Sequence, residues 1–103
     1  MVTVNVVVLA GTLADDPVVR TLPSGDMVTS LRLQVPEPGK RLLPLAVSAW
    51  SASTRKAASG LTKGDKVMVA GHIERRFFKG DGGGRAITEV VAREVRQLVP
   101  ATG

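Results

Sequence analysis

The sequence predicts an all-β domain, a small Greek-key barrel of five strands with one short helix between the third and fourth. Three observations predict it. Apolar residues recur at every second position over residues 27–35 and 41–50, the period of a strand with one covered face. Turn-forming runs separate these stretches at short intervals: Pro23-Ser24-Gly25-Asp26, Pro36-Glu37-Pro38-Gly39 and Thr62-Lys63-Gly64-Asp65. Only residues 51–59, small and rich in Ala and Ser, suit a helix, with Ser51 or Ser53 as N-cap and Gly60 as its stop.

Taken in order, residues 2–13 form a near-continuous β-branched run, as expected of a strand covered on both faces or bent across a barrel. Gly11 marks a bend, and Asp15-Asp16-Pro17 ends the run, because proline has no N–H for a ladder. In the second strand Met27, Thr29, Leu31, Leu33 and Val35 share the core face. Val28, Ser30, Arg32 and Gln34 look toward water or a ligand. The third strand, residues 41–50, sets Leu43, Leu45, Val47 and Ala49 against Leu42, Pro44, Ala46, Ser48 and Trp50. Pro44 places its half of that strand at an edge. Residues 66–78 form a long fourth strand, a glycine-rich loop follows at 79–84, and residues 85–99 form the fifth. Residues 1–99 then make one domain, with 100–103 a stub. This layout matches the OB-fold, although periodicity alone does not separate it from other small barrels.

The bulk numbers narrow the function. A chain of 103 residues is one domain with a core able to fold unaided. Fourteen Lys and Arg against nine Asp and Glu give a net charge of +5, which favours a polyanionic partner. With no cysteine there is no disulfide framework and no thiolate metal site, which suits a reducing interior. The apolar start lacks a basic leader and is shorter than the ~20 residues of a membrane span. The expectation is therefore a cytoplasmic protein without a membrane partner. Trp50, Phe77 and Phe78 are the only aromatics, so the core must be aliphatic.

No residue set suits catalysis. His72 is the sole histidine and has no second His or Cys at metal-ligand spacing. Asp15 and Asp16 read as a solvated turn. The glycines at 80–84 lack a Gly-Lys-Ser/Thr ending and join two strands, so they do not cradle a phosphate. Neither an enzyme nor a bound cofactor is expected.

Binding chemistry is better supplied. Arg75, Arg76 and Lys79 flank Phe77 and Phe78, and Arg85 lies across the same hairpin. Cations that neutralise phosphates around a ring that stacks on an unpaired base are what single-stranded nucleic acid needs. Alternation puts Arg75 and Phe77 on one face and Arg76 and Phe78 on the other, so one ring is core and the other exposed. Trp50, at the end of its strand, fits either a core or a surface role. Arg20, Arg32, Arg55, Lys56 and Lys63 are further cations spread along the chain.

The chain resembles the bacterial single-stranded DNA-binding protein family. The resemblance is carried by Asn5-Val6-Val7-Val8-Leu9-Ala10-Gly11-Thr12-Leu13, by Asp16-Pro17-Val18-Val19-Arg20 followed by Pro23-Ser24-Gly25, and by Ala49-Trp50. It continues through the run from Leu61-Thr62-Lys63-Gly64-Asp65 to Gly71 and through Thr88-Glu89-Val90-Val91-Ala92. It covers residues 2–99. The resemblance implies an OB-fold, sequence-independent binding of single-stranded DNA, a homotetramer (a dimer being the other option), and roles in DNA replication, recombination and repair near the nucleoid. It implies stacking by Trp50 and by Phe77, with Phe78 packed. Arg20, Lys63, Arg75, Arg76 and Arg85 would then line the DNA path, with Lys79, Arg32, Arg55 and Lys56 as further contacts.

Three departures qualify it. The family's aromatic between the second and third strands has no counterpart at 36–41, and another falls on Pro44. The long tail with an acidic tip has no counterpart before Gly103, which puts recruitment of other replication proteins in doubt. The alternative is a primosomal replication protein, a dimeric OB-fold that contacts a helicase and hands off single-stranded DNA.

Overall fold

Alternating β-branched and aliphatic residues build six strands around an aliphatic core. The structure, a computed structural model, describes residues 2–40, 43–80 and 83–98, apart from the side chains of residues 76, 78–80 and 85. The elements are β1 (Val7–Leu13), β2 (Val18–Thr21), β3 (Met27–Gln34), β4 (Pro44–Ala49), α1 (Ala52–Ser59), β5 (Lys66–Gly80) and β6 (Gly83–Gln97). They form one sheet in the order β1-β5-β6-β4-β3-β2, and a further β1–β3 pairing at Thr12–Gln34 and Leu13–Leu33 closes it into a ring. The OB-fold expectation holds. Six strands stand where five were expected, because Val18–Thr21 pairs with β3 as a short hairpin arm across the 23–26 turn.

The core faces follow the sequence alternation. Thr29, Leu31 and Leu33 of β3, Val47 and Ala49 of β4, and Val67 and Val69 of β5 are all buried. Leu13, Leu31 and Leu33 are essentially fully buried, each worth about 1.5–3 kcal/mol of transfer free energy. Met27 and Leu45 share those faces but lie at the barrel ends and remain exposed. α1 lies on β3, β4 and β6 and inserts Ala58, with Leu61 following it into the core. Ser51 is its N-cap: the Ser51 hydroxyl accepts from the Thr54 N–H at 3.3 Å, and Gly60 closes the other end.

Two glycines permit closure. A Cβ on Gly11 would run into the Gln34 carbonyl where β1 meets β3, and one on Gly71 into the Val91 carbonyl. Gly71 also sits at a bulge, where the β5–β6 register jumps between Ala70–Glu94 and Gly71–Ala92 and the sheet bends.

Several strand boundaries differ from expectation. The hairpin ladder runs further than expected, β5 to Gly80 and β6 from Gly83, into the stretch 79–84 expected to be a loop, because Lys79 still pairs with Gly84 and Gly80 with Gly83. β1 begins at Val7, not at residue 2, because Asn5 caps the β5 edge with its side chain. Its Oδ1 accepts the Ile73 N–H at 2.9 Å and its Nδ2 donates to the Ile73 carbonyl at 2.8 Å. That amide uses the two groups a backbone ladder would have used. β4 begins at Pro44, and residues 41 and 42 lie outside the described residues. β4 pairs with β6 only at Val47 and Ser48, so Pro44 occupies a part of the strand with no β6 partner, as a residue without an N–H can.

β5 and β6 each run for 15 residues and continue past the barrel as a projecting hairpin. The molecule measures 53 × 36 × 33 Å with a radius of gyration of 14.8 Å, above the ~13 Å of a compact chain this long.

Candidate nucleic-acid interface

The outward faces of β2, β3, β4 and β6 line one groove of about 580 Å³. β3 contributes Val28, Ser30 and Arg32, the face that alternation assigns to water or ligand, but Val28, on the strand between β2 and β4, is buried instead of open, and Leu31 from the core face also reaches the groove. β4 contributes Pro44, Ala46, Ser48 and Trp50, again one strand face. Val18 and Arg20 come from β2, Ile87 and Glu89 from β6, and Asp15 and Asp16 from the β1–β2 connection. The strand pairings set these side chains side by side: Arg20 opposite Val28, Arg32 opposite Ala46, and Ser30 opposite Ser48.

Trp50 is half-buried at the end of this groove. Its Nε1–H donates to the Ser48 hydroxyl at 3.2 Å, which ties the indole edge to its own strand. From α1, Arg55 Nη1 donates to the Trp50 carbonyl at 2.6 Å and fixes the backbone where β4 turns into the helix. An aromatic ring in the same groove as Arg20 and Arg32 can take a flat ring with an anion attached.

The other expected residues lie elsewhere. Arg55 does not line the groove and uses one Nη1 N–H on the Trp50 carbonyl. Lys56, in the last turn of α1, and Lys63 are exposed and do not line the groove. Lys63 holds the 62–65 turn to the β1–β2 connection, its N–H donating to Asp16 Oδ1 at 2.8 Å. Arg75 and Phe77 stand exposed on the projecting hairpin, Phe77 at 72%. The Phe77 ring lies over Gly84 of β6, in the space a side chain there would need. Arg75 pairs with Thr88 and Phe77 with Ala86, so both have the opposite parity to the groove residues Ile87 and Glu89. Arg76 pairs with Ile87, Phe78 with Arg85 and Lys79 with Gly84; of Arg76, Lys79 and Arg85 only these backbone positions fall within the described residues.

A family model, the single-strand binding protein family, matches residues 4–98. The chain belongs to this family. As a family member it is a binding protein and not an enzyme. It is 35% identical to a single-stranded DNA-binding protein of Caldanaerobacter subterraneus subsp. tengcongensis, over 96% of this chain and 71% of that one. It is also 35% identical to one from Clostridium tetani, over 91% and 70% respectively. A crystal structure of a deletion variant of the single-stranded DNA-binding protein from Thermus aquaticus superposes with a TM-score of 0.77 at 32% identity. That match covers 97% of this chain but 43% of the Thermus chain, so the present sequence spans less than half of it.

In this family member, sequence reasoning missed Asp15 and Glu89 as groove residues. Arg32 Nη1 meets Asp15 Oδ2 at 2.8 Å. Asp15 reads as a turn residue because the contact spans 17 positions and follows from the β1–β3 closure, which no local pattern encodes. His72 is half-buried, its Nε2 2.7 Å from Glu74 Oε2. Among the described residues no three His, Cys, Asp or Glu side chains converge as a metal site, and no helix is long and apolar enough to cross a membrane.

Proposed function

We propose that this protein binds single-stranded DNA without sequence preference and protects it during replication, recombination and repair. The observation that carries the reading is the groove that Trp50 shares with Arg20 and Arg32, on a chain of the single-strand binding family. The indole stacks on an unpaired base, and the guanidinium groups take the adjoining phosphates. Strand then wraps over the projecting hairpin to reach Phe77, a second ring, and Arg75, which share the face of the hairpin opposite to Ile87 and Glu89; Arg76, Lys79 and Arg85 of the same hairpin are the further proposed contacts. Lys56 and Lys63 add positive charge beside the path. The primosomal reading is not favoured, because the family match and the relatives named above are single-strand binding proteins.

Residues 1–99 act as one OB-fold unit in this reading, in the cytoplasm beside the nucleoid, and the working form is a homotetramer. Exposed valines at the N-terminal end support assembly: Val2, Val4 and Val6, ahead of β1, and Val8 within it are all exposed, and a second copy could pair alongside them. Sedimentation at micromolar concentration should give the mass of four chains, and a monomer would contradict the assembly.

Anisotropy of a labelled oligo-dT, with a duplex of equal length as competitor, tests the binding itself. Tight binding that the duplex fails to displace is expected. Indifference to oligo-dT at low salt, or preference for duplex, would overturn the reading.

A further inference from the structure

The charges lining the groove do not reflect the chain as a whole. Against a net +5 overall, the described side chains lining the groove include two cations, Arg20 and Arg32, and three carboxylates, Asp15, Asp16 and Glu89. Asp16 has a structural task, accepting the Lys63 N–H. Asp15 is aimed at Arg32, Oδ2 to Nη1 at 2.8 Å. The backbone puts it there: the Ala14 N–H donates to the Arg32 carbonyl at 2.8 Å, so the residue after Ala14 lies alongside Arg32 whatever its side chain. Both partners are half or more exposed, with side-chain accessibilities of 61% and 50%. A pair so wet is held loosely and can exchange partners. A phosphate offers Arg32 the same two-oxygen face that a carboxylate does.

We propose that Asp15 is a built-in competitor for phosphate at Arg32, a residue that sets how tightly and how salt-dependently the groove holds DNA. In the free protein it occupies the guanidinium. When strand enters, the backbone phosphate takes Arg32 and Asp15 turns to water. Each such exchange releases less counterion than a bare arginine would, so Asp15 weakens the complex and flattens its dependence on salt. A protein that must be cleared from a strand gains from such a contact, because the carboxylate is waiting to reclaim the arginine as the phosphate leaves. This inference rests on the single-strand reading of the groove.

The test is Asp15→Asn, which keeps the shape and removes the charge, measured with oligo-dT across a series of salt concentrations. Affinity should rise roughly two- to fivefold at low salt, the scale of an exposed charge pair. The salt slope should steepen by up to about 0.7. Two controls separate local competition from a general change in charge. Glu37→Gln removes an equal charge beside Lys40, outside the groove, and should give a smaller gain. In an Arg32→Ala background, Asp15→Asn should gain no more than Glu37→Gln does. Asp15→Ser guards against a local effect of the amide, and thermal melts of each variant confirm the fold. Unchanged or weaker binding by a folded Asp15→Asn protein, or an equal gain without Arg32, overturns the competitor while leaving the DNA reading intact. A wild-type protein that ignores oligo-dT overturns both.

Discussion

Trp50 stands on the closed part of the barrel, with Val47 and Ala49 of its own strand buried behind it, while Phe77 stands on the hairpin that projects beyond the core. The two regions carry similar chemistry, an aromatic and arginine: Trp50 shares its groove with Arg20 and Arg32, and Phe77 shares a face of β5 with Arg75. They differ in what holds it. Around Trp50, Ser48 fixes the indole, Arg55 fixes the carbonyl, and β4 is laddered to β3 from Pro44 to Ala49. At Phe77 the ring has Gly84 beneath it and solvent around it. The groove thus presents a ring already oriented, which costs little to use. The hairpin presents one that can follow a strand of variable path, and gives up side-chain freedom when it does.

That contrast can be broken in order of expected effect. Leu33→Ala, directly behind the groove face and with no exposure, should lower unfolding free energy by about 2–5 kcal/mol in a denaturant titration. A loss under about 1 kcal/mol would mean that the groove does not rest on a packed core. Next comes Trp50→Ala, expected to weaken oligo-dT binding by about 1–3 kcal/mol by anisotropy, with the fold retained. Phe77→Ala should weaken binding toward the lower end of that range, about 1 kcal/mol, and shift stability by no more than about 0.5 kcal/mol, since the ring is exposed. Were Phe77→Ala to cost more affinity than Trp50→Ala, the preoriented groove would not be the principal site. Smallest is Arg75→Ala, which should reduce the slope of log K against log salt by about 0.7, one phosphate contact on a single strand. An unaltered slope would take Arg75 off the DNA path.

Much of this was legible in the sequence. The two-residue period of 27–35 and 41–50 grouped the residues of each strand face, so that Val28-Ser30-Arg32 and Ala46-Ser48-Trp50, which line the groove, were already sets, but which face of 41–50 is buried, and hence the place of Trp50, was not legible there. Ser51 and Gly60 delimited the helix. What stayed hidden depends on contacts between distant segments. Asn5 ends β1 early through Ile73, 68 positions away, and a run of valines carries no trace of that. Val18–Thr21 is too short to show a period, and it is a strand only because β3 folds back on it. Asp15 looked like any acidic turn until ring closure brought it to Arg32. Charge totals misled in the same way: +5 describes the whole chain, whereas the described groove side chains include three carboxylates and two guanidiniums.

The most direct test of the central claim uses Trp50 as its own reporter, since it is the sole tryptophan and the chain has no tyrosine. Oligo-dT is titrated into the protein at several ionic strengths while indole emission is followed. Saturable quenching, with an apparent affinity that falls linearly in log salt, is expected if a base stacks on Trp50 while phosphates meet the groove cations. Emission that stays constant while an independent anisotropy signal reports binding would place the strand elsewhere on the molecule and contradict the account.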